Sequence, residues 1–359
     1  MRAALLRSVP GWLEIADIDV ASPGPHDVLV QTVAAGLCHS DLHVIEGSLP
    51  LPPPLVLGHE SAGIVEAVGS DVTAVQPGDR VIACTSMACG MCRACATGHA
   101  YLCTARPVRN PQLGPALSEN GDEVFQFADI GGFAEQMLLP DKMLVKIDAD
   151  IALDRAALIG CAATTGLGAV FNTAKVPPGA VVAVIGCGGI GLNVVQGAIV
   201  AGAARVIAID VAQPNLELAK QFGATDVVDA TQGDPVMQVM ELTSGGVDYS
   251  FEALGRKETI EQSFNMLASA GTATVIGVSS METMVELPAI TFMMERRIQG
   301  CMMGSNRFQV DIPYYIDLYL QGRIKLDELI GDRIVLDQVN DGYKAMQSGT
   351  KARSVILFD

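Results

Sequence analysis

Six residues, Gly186-Cys187-Gly188-Gly189-Ile190-Gly191, restrict this chain more than any other stretch. They follow the apolar run Val181-Val182-Ala183-Val184-Ile185 and precede Leu192-Asn193-Val194-Val195-Gln196, which suits a helix. A second apolar run, Val206-Ile207-Ala208-Ile209, ends at Asp210. With 37 glycines in the chain, a glycine triplet alone carries little. Strand, tight turn, helix, strand and acidic residue in this order form the dinucleotide-binding fingerprint. Glycine lets the backbone turn sharply and approach a pyrophosphate, and the helix N-terminus offers it a partial positive charge.

The alternation extends well beyond the fingerprint. Strand candidates at 181–185, 206–209, 226–228, 247–251 and 272–276 are separated by helical stretches such as 215–222 and 257–267. This pattern predicts an α/β fold with a parallel, doubly wound sheet. The N-terminal part reads as β-rich, with a clear strand from Val28 to Val33 and turns at 22–25 and 77–80. Residues 104–130, rich in Pro, Gly and Asn, read as a long loop. Residues 156–165 read as a helix broken at Gly160, and two further helices are expected near 314–321 and 337–347, before a closing strand at 354–358.

Two clusters suggest metal chemistry. Cys89, Cys92, Cys95 and Cys103 crowd four thiols into one loop, a set that tetrahedral zinc would close completely and structurally. An iron–sulfur cluster and an unliganded cysteine-rich loop are the competing readings. The second cluster is Cys38, His39, Ser40, Asp41 and His43, a thiol, two imidazoles, a hydroxyl and a carboxylate within six positions; His59 and Glu60 follow in a later segment, and Cys161 is a lone cysteine in a helix.

Charge and length bound the function. The net charge of −17 argues against nucleic acid or an anionic membrane as partner. No export signal or membrane-length apolar run is apparent, so a cytoplasmic enzyme is expected and the nine cysteines read as ligands or free thiols. A chain of 359 residues has room for two domains.

Together these motifs resemble the zinc-dependent medium-chain alcohol dehydrogenases. Gly58-His59-Glu60-x2-Gly63-x5-Gly69-x2-Val72 matches that family's zinc signature, and the cysteine lobe and glycine turn follow in the same order, so the resemblance spans the chain. It implies a GroES-like β-barrel catalytic domain formed by 1–162 and 302–359, with a Rossmann domain at 163–301. It also implies two zinc ions per chain, one structural and one catalytic. Cys38, His59 and Cys161 look like the catalytic ligands, with Glu60 similar to a carboxylate that ligates transiently in some members. Asp41 resembles the residue that orients the zinc-bound histidine. Ser40 and His43 resemble the proton relay.

On the cofactor side, Gly186, Gly188, Gly189, Ile190 and Gly191 would cradle the pyrophosphate. Arg353 and His39 look like its basic partners, and Thr165, Ile190, Ile276 and Val278 stand where the nicotinamide side is lined. Asp210 would hold the adenosine ribose, and residues 211–215 offer no Arg or Lys for a 2′-phosphate, which favours NAD over NADP. Thr85 stands at an inner pocket position where relatives often place an aromatic ring, with Phe127 as an outer wall. That suggests primary alcohols, bulky or aromatic, and their aldehydes. The alternatives are an S-(hydroxymethyl)glutathione (formaldehyde) dehydrogenase, against which Leu49 counts, a zinc reductase acting on polyols or allylic aldehydes, and a non-catalytic nucleotide-binding member of the fold. Cys84, Cys187 and Cys301 read as ordinary thiols, with redox sensing as their rival role. The retained 104–130 segment suggests a homodimer pairing two Rossmann sheet edges, with a tetramer as the alternative.

Overall fold

Strand Asp27–Gly36 is the spine of the first of two contact units in the computed structural model, which describes residues 1–347 and 353–358. The first unit comprises Met1–Cys161, Arg307–Leu320 and Leu326–Asp359; the second comprises Ala162–Asn306 and Gln321–Lys325. The chain thus changes unit after Cys161 and returns at Arg307, with one short segment, Gln321–Lys325, reverting to the second unit.

In the first unit, Asp27–Gly36 pairs antiparallel with Glu60–Val68, with Gln136–Pro140 and, at its end, with Ser354–Leu357. These strands belong to a seven-stranded sheet, and a second, six-stranded sheet runs from Leu13–Asp17 to Asp19–Val20. Alternation sets the register. Val28 and Val30 turn inward and pack with Val65, Val81, Met137 and Leu139. Burying such side chains stabilises by roughly 1.5–3 kcal/mol each.

The segment read as a loop at 104–130 contains an antiparallel hairpin, Leu117–Glu119 with Asp122–Gln126. Its turn is Asn120-Gly121, both at positive φ, the dipeptide that two-residue hairpins favour. The expected break at Gly160 is also absent. Helical backbone continues through Ile159–Ala163 in a π-helical stretch, within a run of 22 residues, Leu153–Ala174. This run is long and apolar enough to cross a membrane by length and composition, contrary to the sequence reading, but 83% of its most apolar window is buried inside the protein.

The second unit is built on a six-stranded parallel sheet. Its strands lie in the spatial order Asp226–Asp229, Arg205–Asp210, Val181–Ile185, Val247–Glu252, Leu267–Val275 and Arg297–Gly300. The order reverses between Val181–Ile185 and Val247–Glu252, the switch point where doubly wound sheets open a crevice at their carboxyl ends. Gln196, buried in the helix Gly189–Val200, accepts the Lys325 N–H at 2.8 Å and donates to the Lys325 carbonyl at 3.3 Å. These bonds hold 321–325 on this unit.

Candidate metal and nucleotide sites

Strand ends bring the scattered cluster together. Cys38 caps the helix His39–Glu46, His59 and Glu60 stand at the start of Glu60–Val68, and Cys161 lies in the π-helical stretch. One ligand atom from each of Cys38, His59, Glu60 and Cys161 lies within 4.8 Å of all the others, and all four residues are buried. Single-turn π segments recur at functional sites because they re-aim one side chain. Here that side chain is the Cys161 thiol.

Electrostatics explains what the pocket holds. The Cys38 thiol is held well below its usual range by its hydrogen bond with Cys161, helped by Arg353 and His59 and opposed by burial. The same bond, with burial, pushes Cys161 well up. Burial would lower the His59 pKa, but Asp41 and the Cys38 thiolate outweigh it and hold the imidazole well above its ordinary value. Burial pushes the Glu60 carboxyl up to about 8 against the pull of Arg353. Asp41 also accepts the Gly58 N–H at 2.9 Å, and with Oδ1 3.3 Å from His59 Nδ1 it leaves Nε2 as the ring's free ligand atom. Two thiols and an imidazole with a carboxylate behind them suit zinc, with one position open.

The relay candidates lie on the adjoining helix. Ser40 Oγ is 3.8 Å from Cys38 Sγ, and His43 Nδ1 is 3.1 Å from Ser48 Oγ on the half-buried edge. His39 is exposed one residue from Cys38. The ring of Phe127 stands edge-on to His59 at 5.3 Å, a contact with the candidate ligand itself beyond the outer wall expected of it. Half-buried Thr85 accepts, at its carbonyl, a 2.7 Å hydrogen bond from Arg106, a residue the sequence did not single out. Arg353 is 4% exposed; it donates to the Leu37 carbonyl at 2.6 Å and sits 3.3 Å from Glu60. Its Nε is buried without an acceptor.

Cys89, Cys92, Cys95 and Cys103 form the second constellation, with their four sulfurs within 4.8 Å of one another. The Cys89 N–H points at Cys103 Sγ and the Cys92 N–H at Cys89 Sγ, each at 3.3 Å. Backbone N–H groups aimed at sulfur favour thiolates, and the Cys92 thiol is pulled down to about 6 by such bonds.

In the second unit, the helix Gly189–Val200 starts directly behind the glycine turn. A Cβ at Gly191 would stand 1.8 Å from the Gly186 carbonyl, so only glycine lets the helix start so close to the strand. A Cβ at Gly188 would meet nothing within 4 Å, which leaves open space before the helix N-terminus. The Asp210 carboxylate is fixed by the Cys187 N–H at 2.7 Å, the Ala212 N–H at 2.9 Å and Asn215 Nδ2 at 3.2 Å. Thr165 and Ile276 are buried, Ile190 is half-buried and Val278 is exposed.

Residues 24–149 match the alcohol dehydrogenase GroES-like domain family, and residues 189–320 match the zinc-binding dehydrogenase family. An alcohol dehydrogenase zinc-binding domain protein from Burkholderia ambifaria is 33% identical over 100% of this chain and 98% of its own, with a TM-score of 0.95. A benzyl alcohol dehydrogenase from Acinetobacter calcoaceticus is 32% identical over 100% and 99%, with a TM-score of 0.94. A chain described as a zinc-binding dehydrogenase from Sinorhizobium meliloti 1021, solved bound to NADP, is 30% identical over 99% of each chain, with a TM-score of 0.85.

Proposed function

The chain belongs to the zinc-dependent medium-chain alcohol dehydrogenase family, and on that basis we propose that it catalyses NAD-linked, reversible oxidation of bulky or aromatic primary alcohols to aldehydes. The observation that carries this reading is the buried set Cys38, His59, Glu60 and Cys161 with ligand atoms within 4.8 Å of one another. Zinc held by Cys38, His59 and Cys161 supplies a Lewis acid for the alcohol oxygen, and the dinucleotide supplies the hydride acceptor.

The chain's own residues do the rest. Asp41 fixes the His59 ring and its tautomer, and Glu60 stands behind the ligands, balanced by Arg353. Ser40 Oγ would accept the hydroxyl proton while giving up its own toward the cofactor ribose, and His43, half-buried beside Ser48, would exchange the ribose proton with solvent. In the second unit the Gly188–Gly191 turn would meet the pyrophosphate; the family resemblance assigns Arg353 and His39 as its basic partners. Asp210, fixed by three donors, presents its carboxylate to both ribose hydroxyls and repels a 2′-phosphate. Thr165, Ile190, Ile276 and Val278 line the nicotinamide side. The second constellation, Cys89 to Cys103, holds a structural zinc.

Thr85 is small where the resemblance expects a pocket-lining residue, and this, with similarity to a benzyl alcohol dehydrogenase, supports a bulky or aromatic substrate. Met281, Met284, Ile290, Met293 and Met294 expose apolar surface in the segment leading to Arg297–Gly300, the sheet's last strand. That favours a homodimer through this edge, which light scattering would test. Assays with NAD and NADP across aliphatic, benzylic and terpenoid alcohols test the substrate reading. Preference for short aliphatic alcohols, or for NADP, would refute it.

A further inference from the structure

A buried carboxyl outside the metal cluster is left unexplained by the reaction. Glu252 ends the strand Val247–Glu252, is fully buried, and pairs with Ile185 on one side and Val275 on the other. It therefore sits at the switch point of the parallel sheet, one residue before three strand-end loops diverge.

Its contacts tie those loops together. Oε1 accepts the Leu254 N–H at 2.9 Å, the Gly255 N–H at 2.8 Å and the Thr259 hydroxyl at 2.7 Å. Its main-chain carbonyl accepts the Ile276 and Gly277 N–H groups at 2.8 and 3.0 Å. Leu254, turned by these bonds, packs on the glycine turn: a Cβ at Gly186 would lie 2.7 Å from Leu254 Cγ. A Cβ at Gly277 would lie 2.0 Å from the Gly255 nitrogen, so the 254–255 and 276–278 loops touch backbone to backbone. Burial pushes the carboxyl up, and Oε2 has no hydrogen-bond partner. What the loops need from Glu252 is an acceptor at Oε1.

We infer that Glu252 is a positioning residue for dinucleotide binding, its carboxyl holding Leu254 and Gly255 against the glycine turn so that the cofactor meets a preformed surface. The inference rests on the nucleotide-binding reading of this unit. Glu252 acts through backbone groups and touches no reacting atom. Without it, two N–H groups and a hydroxyl lose their acceptor, and the cofactor must order the loops as it binds.

NADH binding to the intact, zinc-loaded protein, followed by nucleotide fluorescence, tests this. Glu252→Ala should weaken NADH binding about tenfold or more, while Glu252→Gln, which keeps a side-chain oxygen acceptor, should stay within about threefold. KM for NAD should rise in Glu252→Ala, while kcat at saturating NAD, KM for the alcohol and zinc content stay near those of the unaltered protein. Should Glu252→Ala not fold, Thr259→Val removes one of the three bonds and should weaken NADH binding about threefold. NADH affinity unchanged in Glu252→Ala, or in Thr259→Val where that stands in, overturns the inference. So does Glu252→Gln as weak as Glu252→Ala, or a parallel fall in kcat and zinc content that marks general structural damage. If the unaltered protein binds no NADH, the nucleotide reading itself falls.

Discussion

Asp41 grips the Nδ1 side of His59, with Oδ2 3.2 Å and Oδ1 3.3 Å from the ring nitrogen and both side chains buried. With Nδ1 donating to Asp41, Nε2 would be left as the atom that could ligate a metal. Asp41→Ala should weaken zinc at the buried site roughly 10–100-fold, with the four-cysteine site unaffected. Chelator competition, read as zinc retained per chain, checks this. Equal retention in both proteins would contradict it.

Zinc uptake at the buried site should tighten as pH rises. In the metal-free site Cys161 and Glu60 hold protons near neutrality, Glu60 with a pKa of about 8, and His59 is pulled above its usual value. Ligands must shed protons to bind metal, so acid competes with zinc. Calorimetry in buffers of different ionisation heat should register proton release on zinc binding. A buffer-independent heat would count against the assignment.

Asp210→Gly should shift cofactor use toward NADP, because it removes the negative charge at the ribose. The readout is the NAD/NADP ratio of kcat/KM, expected to fall by tenfold or more, about 1.4 kcal/mol. Because Asp210 also accepts the Cys187 and Ala212 N–H groups, some loss of affinity for both nucleotides is expected as well.

Asp154 links distant parts of the first unit. Its carboxylate is 2.9 Å from Arg155 and 2.8 Å from Arg333, while Arg155 also binds Asp327 at 2.7 Å. Burial pushes the Asp154 pKa up, but these guanidinium partners outweigh it and hold it below the usual range; Asp327 is lowered too, first by its Tyr319 bond. A depressed folded-state pKa gives stability that is present above the unfolded carboxylate range and lost as pH falls through the folded value. Asp154→Asn should cost about 1–3 kcal/mol at neutral pH and flatten the acid limb of the Tm profile. An unchanged acid limb would argue that the cluster contributes little.

The parts legible in the sequence were those whose chemistry is local. The glycine turn, the four-cysteine loop and Gly58-His59-Glu60 each carry their spacing within a few residues. The Asn120-Gly121 hairpin was also signalled locally, but the surrounding Pro and Gly masked it. The edge strand Arg297–Gly300 has a partner on one side and no apolar alternation, so nothing in its residues marks it. Glu252 reads as an ordinary charged strand end until the fold buries it, and Arg106 reads as loop charge until it reaches the Thr85 carbonyl. Long-range convergence, such as Cys161 meeting Cys38, follows from a π-helical turn that periodicity does not reveal.

The most direct measurement is zinc per chain in the purified protein and in Cys161→Ala, by elemental analysis alongside circular dichroism. The account predicts about two zinc ions per chain falling to about one, with the fold intact and alcohol oxidation abolished. A value of about one in the unaltered protein, unchanged in Cys161→Ala, would contradict a metal at Cys38, His59 and Cys161.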